Sequence, residues 1–182
     1  MSNHTKQLLG ETLKTLMTKK SLRKITIQEL VDTCGVNRQT FYYHFHDIYE
    51  LLGWIYQVEA INEISTITYD SWCDEITVIV NYLYENRKFC YATYRSLGKD
   101  SLDRFLLKVF DDMTEKVLSG IERAALLTPE DRLFITRLYG YALSGTLLDW
   151  VASKFSTPPE QRAYQVCHSI KGTLASMVEK FI

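Results

Sequence analysis

The chain has 182 residues, 46% of them hydrophobic, with only three prolines and eight glycines. This composition supports a compact core and excludes a disordered or all-β chain. The formal net charge is −1, so no overall positive field identifies a nucleic-acid-binding protein. Residues 1–50 nevertheless carry seven Lys and Arg against five Asp and Glu, whereas the remainder carries fourteen against seventeen. One end of the chain is therefore mildly positive and the rest is acidic.

The cysteines are far apart in predicted helices, and no pair has the spacing of a metal or redox motif. We expect four reduced thiols, the usual state in a cytosol. Residues 6–20 are amphipathic, so we expect no signal peptide, and the longest uncharged run, 138–148, is too short for a membrane span. The sequence thus predicts a cytoplasmic protein without membrane contact. The four cysteines are Cys34, Cys73, Cys90 and Cys167.

The first 45 residues predict three helices. Leu9, Leu13, Leu16 and Met17 form one apolar stripe over residues 6–19, which indicates an amphipathic helix. A basic linker, residues 19–24, follows; it is a solvated loop or a phosphate-contacting segment.

The next two helices have clear start and stop signals. Thr26 and Glu29 form a capping box, so a helix begins there, and Gly35 marks its end. Asn37 is a second N-cap candidate, and Phe41 and Phe45 lie four residues apart on the inner face of the helix that follows. Two short helices joined by a tight glycine turn predict a helix-turn-helix.

The outer face of the second short helix carries hydrogen-bonding and aromatic side chains, as expected of a helix that lies in the major groove. The alternative is that this geometry belongs to an ordinary small helical core. The residues of this face are Arg38, Gln39, Thr40, Tyr42, Tyr43 and His44.

The rest of the chain also has helical periodicity, and the sequence predicts an all-α fold of about nine helices. We divide it into a helix-turn-helix domain, residues 1–47, and a helical regulatory and dimerisation body, residues 48–182. Asp47 with Glu50, and the prolines after Thr128 and Thr157, are helix starts. The predicted helices of the body are 48–67, 71–85, 89–97, 101–117, 129–154 and 159–180.

The last two predicted helices have more apolar residues than one core face needs. They form seams that pair with a second copy of the chain, or stripes that pack within one copy. Small residues such as Gly140 and Gly145 would let a neighbouring helix approach closely. The predicted interface residues are Leu138, Tyr141, Gly145, Leu148, Ala152, Cys167, Ile170, Leu174, Met177 and Phe181.

The middle helices are rich in aromatic residues, which fill ordinary cores but also line ligand pockets. The spacing alone does not decide between the two. If a pocket exists, the candidate lining residues are Trp54, Trp72, Tyr82, Tyr94 and Phe105.

The stretch VNRQTFYYHFHDIYELL resembles the signature of the TetR family of transcriptional regulators, and the likeness covers about residues 5–55. The resemblance implies a homodimer whose two recognition helices meet successive major grooves, about 34–36 Å apart, on a roughly palindromic operator. It also implies that the last two helices form the dimer interface. Within the family, RQTFYYHF followed by ELLGWIY looks like the subgroup of the dihydroxyacetone kinase operon activator, whose members can respond to a partner protein.

The resemblance suggests a role for each residue of the predicted interface with double-stranded DNA. Arg38, Gln39 and Tyr43 are expected to reach base edges. A lysine that is common at the start of the following helix is replaced by Ile48, which removes one expected phosphate contact. The residues expected to contact phosphates are Lys24, Thr26, Thr40, Tyr42 and His44.

We therefore predict a homodimeric, sequence-specific DNA-binding repressor whose operator binding responds to a small molecule or a partner protein at the body. The alternative is a helical adaptor or co-activator that acts mainly through protein–protein contact. No phosphate loop, zinc-protease motif or nucleophile elbow supports an enzyme, and no cofactor or metal is expected.

Overall fold

The computed structural model describes residues 2–61, 71–97, 99–170 and 172–182. In these ranges the chain forms ten α-helices and no strand, which confirms the predicted all-α fold. Shorter helical segments lie at Leu22–Lys24 and Glu122–Leu126, both 3₁₀, and at Gln57–Ile61, a π-helix. The α-helices are α1 (Ser2–Lys19), α2 (Ile27–Cys34), α3 (Arg38–His44), α4 (Ile48–Tyr56), α5 (Trp72–Glu85), α6 (Arg87–Leu97), α7 (Lys99–Ser119), α8 (Pro129–Ala152), α9 (Pro159–Ile170) and α10 (Thr173–Phe181).

Helices α1, α2 and α3 form a small three-helix unit, which we call the head; the helices from α4 onward are the body. The predicted stripe on α1 is buried, with Leu9 and Leu13 at 0% exposure. Helix α1 packs on α2 and α4, and α2 packs on α3. Residues Leu22–Lys24, between α1 and α2, were predicted as part of a basic linker. They form a 3₁₀ turn in which Leu22 is buried.

Helix α4 begins as predicted, since the Asp47 carboxylate accepts a hydrogen bond from the Glu50 amide at 2.8 Å. After Tyr56 the α-helix gives way to the π-helical turn Gln57–Ile61. The predicted continuation to residue 67 lies outside the described residues.

The body is built around α7 and α8, which pack along each other. Gly140 permits this approach. A Cβ at that position would lie 2.1 Å from the Asp111 carboxylate of α7, so the close contact expected with a partner helix is made inside the chain. Gly145, in contrast, has open space beside it.

Helix α6 contacts α7 and α8 in the body, and α1 and the Leu22–Lys24 turn in the head. Buried hydrophobic residues of both parts form one cluster. Head and body therefore share a core, and the boundary predicted at residue 47 remains a prediction.

The predicted last helix is divided in two. Gly172 has φ +83°, a left-handed conformation, and it separates α9 from α10. A glycine adopts this conformation without the steric cost that a Cβ brings. The expectation of one helix over 159–180 is therefore wrong.

The expectation of four reduced thiols is also wrong for two of them. Cys73 on α5 and Cys167 on α9 are joined by a disulfide bond, although 94 positions separate them. Cys34 and Cys90 are free. The packing of α5 on α9 creates a proximity that sequence spacing does not reveal.

Over the described ranges, no helix combines the length and apolar character that crossing a membrane requires.

Candidate nucleic-acid interface

The turn between α2 and α3 is fixed by its own backbone. Gly35 has φ +69°, and its amide donates to the Asp32 carbonyl at 3.3 Å, while the Val36 amide donates to the Val31 carbonyl at 3.0 Å. These two bonds form a Schellman motif, which ends a helix sharply and requires a residue that tolerates positive φ. The angle between the two short helices thus depends on Gly35.

The start of α3 is fixed by Asn37. Its side-chain oxygen accepts hydrogen bonds from the Thr40 amide at 2.7 Å and from the Thr40 hydroxyl at 2.9 Å. Phe41 and Phe45, with ring centres 6.0 Å apart, are 0% and 3% exposed and hold the inner face of α3 to the core. The outer face of α3 is thereby presented to solvent.

That outer face contains an unusual amount of exposed aromatic surface. Tyr43 is 80% exposed and Tyr42 is 49% exposed, and Arg38 and Gln39 are also exposed. A fully exposed tyrosine on a short helix leaves apolar area in contact with water, which is typical of a binding surface. All six residues predicted on this face lie on α3, and His44 and Thr40 are its half-buried members.

Neighbouring side chains order this surface. The Arg38 guanidinium donates to the Tyr42 hydroxyl at 3.3 Å and lies 5.7 Å from the centre of that ring. Tyr43 and His44 meet edge to face with ring centres 4.9 Å apart. These contacts limit the rotamers of long side chains before any ligand binds, which lowers the entropic cost of binding.

Thr40 differs from its neighbours. Because its hydroxyl proton is donated to Asn37, its oxygen offers only lone pairs outward. A phosphate is also an acceptor, so Thr40 would have to give up the Asn37 bond to contact one. Its predicted phosphate contact is therefore the weakest of the set on physical grounds.

The start of α2 offers a second group of polar residues. The Thr26 hydroxyl oxygen accepts from the Glu29 amide at 3.2 Å, and its proton remains available to a phosphate. Lys24 is exposed just before it, whereas Lys20 forms an ion pair with Glu29. Lys24 is therefore the better placed cation to attract an anion.

Tyr49 is a residue that sequence reasoning missed. Ile48 packs half-buried against the core, and its apolar side chain cannot form the expected hydrogen bond to a phosphate. The next residue, Tyr49, lies in the first turn of α4 and is 52% exposed. Helix N-termini favour anions. A tyrosine two residues after the Asp47 cap was the available signal in the sequence.

Head and body are joined by a polar cluster at the end of α4. The Glu59 carboxylate accepts from Lys14 of α1 at 2.8 Å and from the Tyr82 hydroxyl of α5 at 3.1 Å. The Leu22 amide of the head also donates to the buried Ser96 hydroxyl of α6 at 3.0 Å. Burial raises the pKa of Tyr82, and the nearby Cys90 and Glu59 raise it further, so its hydroxyl stays protonated and donates.

The structure brings together two of the five aromatic residues proposed for a pocket. Phe105 lies against Tyr56, with ring centres 4.6 Å apart, and Tyr82 meets the same ring at 6.5 Å. Trp54 instead packs on Phe45 of the head at 5.8 Å. Trp72 is buried at the start of α5 and Tyr94 is half-buried on α6. Tyr56 was not predicted, because its central position depends on how three helices meet.

An open groove of about 540 Å³ adjoins Tyr82 and Glu59. The ligand pocket that the sequence predicts in the body remains a prediction.

The predicted dimer residues fall into two groups. Leu148, Cys167 and Leu174 are 1%, 7% and 2% exposed, so they pack within one protomer and are not available to a partner. Others remain on the surface of α8 and α10, and a groove of about 670 Å³ lies between α8, α9 and α10. Ile170 ends α9, and Gly145, Ala152 and Met177 are partly exposed. The exposed members are Leu138, Tyr141 and Phe181, to which the structure adds Leu133, Phe134 and Tyr164.

Comparison with known proteins agrees with this architecture. The family model described as "Bacterial regulatory proteins, tetR family" matches residues 11–53, and that described as "Transcriptional regulator C-terminal region" matches residues 70–172. The chain is 30% identical over 122 residues to the HTH-type dhaKLM operon transcriptional activator DhaS of Lactococcus lactis subsp. lactis (strain IL1403). That alignment covers 65% of this chain and 63% of the relative, so it spans slightly less than two thirds of the relative's length.

Two solved structures have the same fold. The dihydroxyacetone kinase operon activator DhaS matches with a TM-score of 0.70 and 24% identity, over 97% of each chain. A TetR transcriptional regulator from Rhodococcus sp. RHA1 matches with a TM-score of 0.63 and 16% identity, over 97% of this chain and 98% of that one. Because the C-terminal model alone matches more than half of the residues, the chain belongs to the TetR family of transcriptional regulators.

Proposed function

We propose that this protein is a homodimeric, sequence-specific DNA-binding regulator that acts in the cytoplasm on a roughly palindromic operator. The observation that carries the proposal is the outer face of α3, where Arg38, Gln39 and Tyr43 are exposed above a buried Phe41. Arg pairs with guanine and Gln with adenine in the major groove. Lys24, Thr26, Tyr42 and His44 contact phosphates, and Tyr49 joins them. Of these five candidates, Tyr42 and His44 lie on α3 itself, Lys24 and Thr26 precede α2, and Tyr49 lies in the first turn of α4.

The dimer is proposed to form through the exposed apolar residues of α8 and α10. Tyr141 is 58% exposed and Leu138 is 41% exposed, and such residues grouped on one face mark protein interfaces. A second copy would place its recognition helix in the adjacent major groove. We expect Tyr141→Glu to yield a monomer by sedimentation velocity, with DNA affinity reduced at least tenfold.

An effector, either a small molecule or a partner protein, is proposed to bind the body and change operator affinity. The Lys14–Glu59–Tyr82 cluster supports this idea, because it connects α1 of the head to α5 of the body through a few bonds. An effector must bind the two states with different affinity in order to shift the equilibrium.

The sign of regulation is proposed from the relatives. The sequence favoured a repressor, but the two relatives named DhaS are described as activators. We therefore propose activation of a neighbouring operon. A promoter fusion in cells with and without the gene would test this proposal. Higher expression without the gene would contradict activation and support a repressor.

The first experiment is a gel shift of the purified protein with the DNA upstream of its own gene, at two salt concentrations. A discrete complex that survives competitor DNA and weakens steeply with salt is expected. Gln39→Ala should cost about 1–3 kcal/mol at one base position, whereas Gln161→Ala, an exposed glutamine on α9, should leave the affinity unchanged. An unaltered affinity and footprint for Gln39→Ala would contradict the assignment, and a folded dimer without any complex would favour the adaptor.

A further inference from the structure

The disulfide bond between Cys73 and Cys167 connects two layers of the body. Cys73 lies in the first turn of α5 and Cys167 lies on α9, and their Cα atoms are 5.2 Å apart. Bridged cysteines have Cα separations of about 4.4–6.8 Å. The two helices therefore hold these cysteines at an ordinary separation for a disulfide bond.

A lasting disulfide is unusual in the compartment proposed for this protein. Cytosolic reductants keep thiols reduced, and the disulfides found there are mostly transient ones that belong to catalysis or redox sensing. The bond lies far along the chain from the proposed DNA contacts on α3. A purely structural disulfide would be reduced most of the time in a reducing compartment. A disulfide that forms and breaks reversibly therefore fits both the geometry and the proposed location.

The other two thiols differ from this pair. Cys90 is fully buried, and burial raises its pKa to about 12. Burial also raises the pKa of Cys34. Thiolates rather than thiols react with oxidants, so both are poor nucleophiles, and neither has a partner sulfur bonded to it. Within the bridged pair, Cys73 is partly exposed and Cys167 is buried, so Cys73 is the more accessible of the two to a small oxidant.

The disulfide bond also lies between the proposed dimer interface and α5, the helix that supports the head. Cys167 follows Val166 on α9, and Val166 lines the groove between α8, α9 and α10 at the proposed dimer interface. Helix α5 carries Cys73 at its start and Tyr82 further along, and Tyr82 bonds to Glu59, the partner of Lys14 in the head. The crosslink therefore ties the dimer layer to the helix that supports the head.

We propose that Cys73 and Cys167 form a thiol–disulfide switch that fixes α9 against α5 and thereby changes the operator affinity of the dimer; the second part rests on the proposed function. Hydrogen peroxide is the oxidant. The Cys73 thiolate attacks one peroxide oxygen, the O–O bond breaks, and a sulfenic acid and hydroxide result. The Cys167 thiol then attacks that sulfur, the S–S bond forms, and the hydroxyl leaves with the thiol proton as water. In total, two thiols are oxidised and one peroxide is reduced to two waters; a dithiol reductant restores both thiols.

The full chain, purified under reducing conditions, would be exposed to hydrogen peroxide, blocked with N-ethylmaleimide and digested for mass spectrometry. We expect one dominant crosslinked pair, Cys73 with Cys167, that dithiothreitol removes. Operator affinity measured in both states should differ at least threefold in the wild type. Cys73→Ser and Cys167→Ser should abolish this difference, while the control Cys34→Ser should retain it.

The outcomes separate this proposal from the proposed function. Failure of the pair to form, or its formation with equal affinity in the two states, would overturn the switch. A crosslink that forms in a protein without DNA binding in either state would overturn the proposed function together with the control of affinity. Thermal melting of each variant in reductant identifies any that failed to fold, and Cys73→Ala then replaces Cys73→Ser.

Discussion

The head and the body of this protein are specified in different ways. In the head, the start of α2, the end of α2 and the start of α3 are each fixed by a neighbouring residue: Thr26, Gly35 and Asn37. In the body and at its junction with the head, the decisive contacts join residues far apart, such as Cys73 with Cys167, Lys14 with Glu59, and Asp111 with Gly140. The surface proposed to bind DNA thus depends on local signals, and the parts proposed to regulate it depend on tertiary packing.

The strongest test of this contrast removes the fully buried ring on the inner face of α3. Phe41 is 0% exposed, and Phe41→Ala should lower the free energy of unfolding by about 3–5 kcal/mol through lost burial and a cavity. Urea unfolding followed by circular dichroism measures the change. Tyr43→Ala, on the exposed side of the same helix, should stay within about 0.5 kcal/mol of the wild type. A similar loss in both variants would show that α3 has no distinct inner face.

A methyl group at Gly140 probes the close packing of the body. The Cβ of Gly140→Ala would displace the Asp111 carboxylate, which is paired with Arg137 at 2.6 Å, and should cost about 1–3 kcal/mol. The matched control is Gly145→Ala on the same helix, where nothing lies within 4 Å. That variant should gain up to about 1 kcal/mol in helix propensity. Equal effects in denaturant titrations would mean that α7 does not constrain α8 at Gly140.

The junction between head and body should respond more weakly. Glu59→Gln keeps the shape but removes the charge that Lys14 and Tyr82 bind, and we expect a loss of about 1–2 kcal/mol for these partly exposed groups. Hydrogen exchange of the α1 amides should accelerate as well. Glu11→Gln is the control, because Glu11 is 69% exposed and 3.9 Å from the same Lys14 nitrogen. If α1 exchange does not change, the cluster does not hold the head.

The smallest expected effect is a pH dependence of the free energy of unfolding that arises from Asp111 in the body. Burial raises the pKa of the Asp111 carboxyl from its ordinary value of 3.8, and Arg137 opposes this in part. Above pH 3.8 the native state therefore retains more protons than the unfolded state, and this contribution to stability falls as the pH rises through the folded pKa. In urea titrations, the stability of Asp111→Asn relative to the wild type should accordingly increase as the pH rises above 3.8. A constant difference across that range would contradict the raised pKa.

Among the predictions from sequence, several that depended on neighbours along the chain are confirmed, whereas the single helix over 159–180 is not. The capping bonds at Thr26, Asn37 and Asp47 are present, and the apolar stripes of α5 and α7 are buried. Periodicity and capping depend on residues within about one helical turn, so one sequence carries that information. The same reasoning placed Leu148 and Leu174 on a stripe but did not show which partner covers it.

The all-α fold, the helix-turn-helix and its family could be predicted from the sequence, because caps, the glycine after α2 and apolar spacing act locally. The break at Gly172 could not be predicted, because other glycines, such as Gly140, lie inside helices. The bond between Cys73 and Cys167 and the ion pair of Lys14 with Glu59 depend on the relative position of helices far apart in the chain. That position results from the packing of the whole core, and no local pattern encodes it.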